Sequence, residues 1–246
     1  MRETAAAATP DTAQPSADRP RAPRVIAVDG SAASGKSTIG RLLAARLGYP
    51  FLDTGIMYRA ITWAAIQRGI ALGDGQALSG LAASARLDVV LPPPGSPDAA
   101  RITVDGRDVT ADLRRPEVED AVSLVSRVAG VREALVQEQR EIASHHPIVM
   151  AGRDIGTVVL PRADLKVYLD ASLKERARRR YREFAAQRPD VTEEMVLADL
   201  RRRDQIDSQR AVSPLRPARD AVIVQTDGLS QDKVLRRVLA LVEALQ

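Results

Sequence analysis

From Arg24 onward, the hydrophobic positions fall into two alternating periods. Val25-Ile26-Ala27-Val28-Asp29 is a short β-branched run that ends at a glycine-rich loop, as a strand buried within a parallel sheet does. Beyond the loop, Ile39, Leu42, Leu43 and Leu47 recur at helical spacing, and Gly48 stands at the position of a helix C-terminal cap. A second short strand is predicted at Phe51-Leu52. Similar apolar runs return at Ile148 to Ala151, Leu165 to Leu169 and Ala221 to Val224, separated by helix-period segments. This alternation predicts an α/β fold, a parallel sheet flanked by helices. A last helix is predicted from Gln231 to Leu245, with Val234, Leu235, Val238, Leu239 and Val242 on its apolar face.

The stretch from Arg86 to Thr110 has another rhythm. Leu87 to Leu91, Arg101 to Val104 and Arg107 to Val109 are strand-like, separated by the turn-rich 92–97 and by Asp105-Gly106. Asp-Gly between short strands predicts a hairpin, and links this short cannot carry the crossovers that parallel pairing needs. The stretch therefore predicts a small antiparallel lobe inserted into the parallel core. Residues 1–23 have no bulky apolar residue beyond Met1, too little to offset the entropy of ordering, so a disordered tail is expected. Ala5 to Ala8 is too short and weakly apolar for a signal peptide, and no apolar run is long enough to span a bilayer. The absence of cysteine excludes disulfides and thiolate metal sites and accords with a cytoplasmic location.

The loop after the first strand carries the most specific chemistry. Gly30-Ser31-Ala32-Ala33-Ser34-Gly35-Lys36-Ser37-Thr38 matches the phosphate-binding pattern of two glycines followed by Lys and Ser, with a strand before it and a helix after it. Glycines let backbone N–H groups turn toward a β-phosphate, and the helix N-terminus adds a favourable dipole. Lys36 would reach the β- and γ-phosphate oxygens, and the Ser37 hydroxyl would bind Mg²⁺. GTPases read guanine with an Asn-Lys-x-Asp segment, and this chain contains no asparagine. The loop fixes a triphosphate donor, not the acceptor.

Three polar constellations bear on the acceptor. Asp53-Thr54-Gly55-Ile56-Met57-Tyr58-Arg59 offers a hydroxyl, an aromatic face and a guanidinium at a helix start, although Asp53 or Thr54 could simply cap that helix. Gly152-Arg153-Asp154-Ile155-Gly156-Thr157 follows the strand at 148–151, and ligands gather at the carboxyl ends of parallel strands. Arg203, Asp207 and Arg210 are spaced to share one face of a helix beginning near Thr192, a pattern equally suited to a salt-bridged surface. Between them runs Arg176-Ala177-Arg178-Arg179-Arg180-Tyr181-Arg182. Such a density of arginine suits either a nucleic-acid patch or a lid closing over phosphates, and the phosphate loop favours the lid. The net charge of +4 is too small for a general nucleic-acid binder. His145-His146 forms no metal constellation, and Trp63 is expected to pack rather than stack on a base.

Taken together, these segments and Val131-Arg132-Glu133-Ala134 resemble the bacterial cytidylate kinase family in order and spacing, over nearly everything after the tail. The resemblance implies transfer of the γ-phosphate of ATP to CMP or dCMP with Mg²⁺. It implies a core at 24–60 and 136–246, an inserted acceptor lobe near 61–135 and an arginine lid near 174–192. By position, Thr54, Arg59, Arg153 and Arg210 would hold the acceptor phosphate, with Tyr58 lining the pocket. Arg203 and Asp207 would fix the sugar, and Ser123, Arg132 and Asp154 would read the base. Lys36, Arg153 and Arg210, with Arg176 and Arg179 or Arg180 of the lid, would neutralise the phosphoryl group in flight. Two positions depart from the family: Ser31 stands where proline is usual, and Ala151 where many relatives have an acidic residue near the Mg²⁺. ATP and CMP or dCMP are the expected partners of a monomeric enzyme, with neither nucleic acid nor membrane. The alternatives are a kinase for UMP or AMP and an ATP-regulated RNA-binding protein.

Overall fold

Five parallel strands form the centre of the molecule, in the order β2-β6-β1-β7-β8. They are β1 (Val25–Gly30), β2 (Phe51–Asp53), β6 (Ile148–Gly152), β7 (Leu165–Asp170) and β8 (Val222–Gln225). The computed structural model describes residues 23–245 apart from 95, 97, 186, 187 and 189. The tail expected at 1–23 thus lies, but for Pro23, outside the described residues.

The helices are α1 (Lys36–Leu47), α2 (Gly55–Gln67), α3 (Gly75–Ser84), α4 (Pro116–Ser126), α5 (Ala129–Ser144), α6 (Leu173–Phe184), α7 (Glu193–Gln209) and α8 (Gln231–Glu243). Strand side chains alternate between the two faces of the sheet. Ile26, Val28, Phe51, Val149, Ala151, Val167 and Leu169 meet α1 and α8. Ala27, Leu52, Ile148 and Met150 join a larger core with α2, α3 and α5. Gly48 ends α1 in the left-handed conformation, Thr192 caps α7 by accepting from the Met195 amide, and the final helix stops at Glu243.

A second, antiparallel sheet is built from β3 (Leu87–Val90), β4 (Arg101–Val104) and β5 (Arg107–Asp108). At its β4–β5 turn, Asp105 and Gly106 both have positive φ, 51° and 83°, as a two-residue hairpin turn requires. Ile102, Val104 and Val109 share the larger core with Leu52 and Met150, and Trp63 is buried there too. The two sheets are therefore joined by continuous apolar packing through α2. A smaller cluster joins Ala32 of the phosphate loop to Ala177 of α6 and to Val196 and Leu200 of α7, so the arginine-bearing helix rests on the loop itself.

Candidate active site

The carboxyl ends of β1, β2 and β6 meet at one edge of the sheet, where an open α/β fold gathers ligands. The loop leaving β1 reverses through Ala33 (φ 59°) and Gly35 (φ 93°), left-handed positions that turn successive amides inward. Lys36 opens α1, and its buried ammonium donates to the Ser31 carbonyl at 2.9 Å. Burial first, then Arg153, pushes the Lys36 pKa well down, against the opposing pull of Asp53 and Asp207. Phosphate oxygens at this place would return a strong counter-charge to the lysine.

Ser37 Oγ donates to Asp53 Oδ2 at 2.5 Å, while Asp53 Oδ1 accepts from the Gly55 amide at 3.0 Å. Burial works to raise the Asp53 pKa, but Arg59, Lys36 and these two bonds hold it below the usual carboxylate value. A hydroxyl and an ionised carboxylate side by side are hard oxygen donors of the kind Mg²⁺ takes beside phosphates. Thr54 occupies the N-cap position of α2 without a side-chain cap bond; its hydroxyl donates instead to the Ala151 carbonyl at 3.0 Å. That contact leaves no room for a side chain at Gly152, where a Cβ would stand 2.7 Å from Thr54 Oγ1.

The turn after β6 is anchored by a residue that sequence reasoning passed over. Asp29 Oδ1 and Oδ2 accept from the Ile155 and Gly156 amides at 2.8 and 2.7 Å. Burial raises the Asp29 pKa to about 6 despite these two bonds. The anchored turn presents Asp154 to Arg132 of α5 at 2.5 Å. The Arg132 guanidinium, 2% exposed, also donates to the Ser126 carbonyl and lies 5.2 Å from the centre of the Tyr58 ring. Burial raises the Tyr58 pKa to about 12, so this phenol stays protonated.

Arg153 Nε donates to Asp207 Oδ2 at 2.7 Å, and its NH1 donates to the Gly30 carbonyl at 3.2 Å. The shared helical face expected for Arg203, Asp207 and Arg210 holds only in part. α7 ends at Gln209 and Arg210 is extended (φ −65°, ψ 141°), because the chain turns there toward Ser213, which has positive φ. Arg210 nonetheless folds back to within 3.6 Å of Asp207 and donates from Nε to the Ser213 carbonyl.

A cavity of about 150 Å³ collects these side chains: Lys36, Ser37, Thr54, Tyr58, Arg59, Ser123, Arg132, Arg153, Asp154, Arg180, Arg203, Asp207 and Arg210 all line it, with Asp53, Arg114 and Glu119. Polar atoms of Arg59, Glu119, Arg132, Arg203 and Arg210 are buried there without hydrogen-bond partners. Unpaired buried polar atoms are costly, and here they point to a polar ligand. A neighbouring cleft of about 590 Å³ is lined by Ser34, Gly35, Lys36, Ser37, Thr38, Arg178, Arg179 and Thr226. Lys36, Ser37, Ala33, Arg114 and Arg180 line both spaces and so mark their junction.

The arginines expected of a lid are placed unequally. Arg180 reaches the junction. Arg176 lines neither space; it is buried, with Asp204 and the Ala32 and Ala171 carbonyls as partners. Arg179 stands on the second cleft, bound to Glu175 and Thr226. Asp53, Arg114 and Glu119 line the cavity but were not among the expected site residues, and for Asp53 the signal was present: an acidic residue at a strand end beside the candidate phosphate loop. Among the described residues no group of three or more His, Asp and Glu could hold a metal, and no helix is long and apolar enough to cross a membrane.

The chain is 47% identical over 219 residues to cytidylate kinase from Pelotomaculum thermopropionicum, covering 89% of this chain and 96% of that one. It is 48% identical over 231 residues to the bifunctional pantoate ligase/cytidylate kinase of Synechococcus sp. (strain JA-3-3Ab), covering 94% of this chain but 42% of that protein. The chain thus spans less than half the length of this bifunctional relative. Among solved structures, shikimate kinase from Bacteroides thetaiotaomicron aligns over 89% of this chain and 98% of its own, with 15% identity and a TM-score of 0.46, a likeness too slight to bear on function. The family model for Cytidylate kinase matches residues 26–244, and the chain belongs to the cytidylate kinase family.

Proposed function

We propose that the protein transfers the γ-phosphate of ATP to CMP or dCMP, giving ADP and CDP or dCDP. The observation that carries this reading is the buried Asp154–Arg132 pair beside Ser123 and Tyr58, in a cavity that opens onto the phosphate loop. Cytosine presents an N4 amino donor and N3 and O2 acceptors, which match a carboxylate or hydroxyl and a guanidinium. Uracil would set a carbonyl against Asp154, and a site built on hydrogen bonds rejects the analogue that leaves them unpaired.

The acceptor phosphate is already an anionic nucleophile and needs no strong base. The barrier lies in aligning two repelling anions and neutralising the charge that spreads during transfer. Thr54, Arg59, Arg153 and Arg210 hold the acceptor phosphate; Arg203 and Asp207 orient the sugar. Lys36 and Arg180, at the junction of the two spaces, meet the transferring group, with Arg179 on the donor side. Arg176, paired with Asp204, fixes α6 against α7. Mg²⁺, as the family generally uses it with ATP, would be held by Ser37 and Asp53 together with phosphate oxygens, supplying charge neutralisation there.

The arginine run of α6 is engaged internally, by Glu175, Asp204 and Glu119, which favours this reading over an RNA-binding patch. We place the enzyme in the cytoplasm, with which the absence of cysteine accords. ADP release measured by a coupled assay across CMP, dCMP, UMP and AMP is the test. CMP and dCMP should be preferred by orders of magnitude, and a preference for AMP or UMP would overturn the assignment.

A further inference from the structure

One carboxylate in the cavity has no part in holding base, sugar or phosphate. Glu119 is buried on α4, and four guanidiniums from four different elements converge on it. Arg180 of α6 donates to its Oε2 at 3.0 Å. Arg203 of α7 stands 3.8 Å from the same oxygen, and Arg59 of α2 and Arg114 of the 3₁₀ turn at 112–114 each stand 3.9 Å from Oε1. Burial works to raise the Glu119 pKa, but Arg59, Arg180, Arg203 and Arg114 outweigh it and hold the group below its ordinary value.

The arrangement is a strong cation cluster with a poor anion at its centre. Two carboxylate oxygens cannot satisfy four guanidiniums. Oε1 has no hydrogen-bond partner, and neither has Nε of Arg59 or of Arg203. A phosphate group brings more oxygens and more charge, and guanidinium forks match it bidentately. Three of the four arginines are those assigned above to acceptor phosphate, sugar and transferring group.

We propose that Glu119 is a positioning residue, a resident counter-anion that gathers Arg59, Arg114, Arg180 and Arg203 while the site is empty and yields them to the substrate phosphates. Until then it bridges α4 to the arginine-bearing helix α6 through Arg180. Without such an anion four like charges would repel one another in a site of low polarisability. With it they stay assembled, at the cost of competition with every incoming phosphate. Glu119 therefore sets the affinity for phosphate-bearing ligands and leaves recognition of the base alone. This inference rests on reading the cavity as a phosphoryl-transfer site.

The test is calorimetric titration of Glu119→Gln, Glu119→Asp and wild-type protein with inorganic pyrophosphate, CMP and cytidine, alongside steady-state kinetics with CMP. Asp120→Asn, an exposed neighbour on the same helix, controls for the change in net charge. Removing one charged competitor should tighten pyrophosphate and CMP binding and lower the KM for CMP by roughly tenfold. Cytidine, which engages through its sugar only Arg203 of the four, should gain far less, and kcat should not rise. Glu119→Asp, with a retracted carboxylate, should shift in the same direction by less, and Asp120→Asn should match wild type. Unchanged or weaker pyrophosphate binding in Glu119→Gln would overturn the proposal, as would an equal gain for cytidine. Should Glu119→Gln not fold, an unshifted Glu119→Asp would overturn it. A wild type that leaves CMP unphosphorylated while Glu119→Gln still gains pyrophosphate affinity would instead refute the functional assignment.

Discussion

Asp154 serves two purposes at once, and they separate on mutation. Its carboxylate balances Arg132, whose guanidinium is almost wholly buried, and it is the group proposed to accept from the cytosine amine. Asparagine keeps one acceptor oxygen but offers an N–H₂ donor that suits the carbonyl of uracil. Asp154→Asn should therefore lower kcat/KM for CMP by roughly a hundredfold or more, and narrow the preference over UMP. The neutralised partner leaves Arg132 uncompensated, so denaturant melts should show a loss of about 3 kcal/mol. A variant that retained full discrimination would remove Asp154 from base recognition.

Asp29 makes the complementary case. Its native pKa of about 6 lies above the ordinary carboxylate value, so the folded state binds its proton more tightly than the unfolded state does. Its contribution to stability is full below about pH 4, the range of the unfolded group, and is lost as pH rises through about 6. The stability of wild type relative to Asp29→Asn should fall by on the order of 3 kcal/mol between those limits, as urea melts at pH 4 and pH 7 would measure. A constant difference would contradict the assignment. The role of Asp29 is invisible in sequence because its partners, the Ile155 and Gly156 amides, lie far along the chain. Arg153 and Asp154 were legible because they directly follow an apolar strand.

Among the elements, the strand, loop and helix around the candidate phosphate loop were legible almost residue by residue, since a phosphate-binding pattern demands a fixed spacing between strand and helix. What the pattern does not encode is strain. Ala33 adopts φ 59°, a left-handed conformation that costs an L-residue about 1 to 2 kcal/mol. Glycine adopts it freely but gains entropy in the unfolded chain. Ala33→Gly should therefore be neutral to stabilising by up to about 1 kcal/mol, raising Tm by a few degrees at most, as calorimetry would test; a clear loss of stability would mean that the methyl group packs usefully. The Asp105-Gly106 hairpin was legible for the same local reason. The end of α7 was less so. Helical spacing extended it through Arg210, whereas Ser213 in the left-handed region and the following Pro214 turn the chain away. In a continued helix Pro214 would lack an amide donor and its ring would clash with the Arg210 carbonyl, and that signal lay in the sequence.

At the scale of the whole molecule, the size of the acceptor cavity decides what must move. About 150 Å³ is small beside the roughly 300 Å³ at which small-molecule pockets begin, so binding of a nucleotide is expected to displace a wall. The continuous core that ties the antiparallel sheet to the parallel one through α2 opposes motion there. α6 and α7 offer less apolar resistance: they meet the phosphate loop through the small cluster around Ala32, with polar contacts from Arg176 to the Ala32 carbonyl and from Arg203 to Glu119, and α6 reaches α4 through the Arg180–Glu119 pair. Opening should therefore separate α6 from α4 and part that pair. The chain has no cysteine, so thiols introduced at the exposed positions Glu117 of α4 and Arg182 of α6 can be spin-labelled without background. Pulsed dipolar spectroscopy should show a short distance in the empty protein and a longer one with CMP. Adding Glu119→Gln to the labelled pair should populate the longer distance before any ligand is present. A single distance common to all three states would place the opening elsewhere and return the burden to the antiparallel lobe.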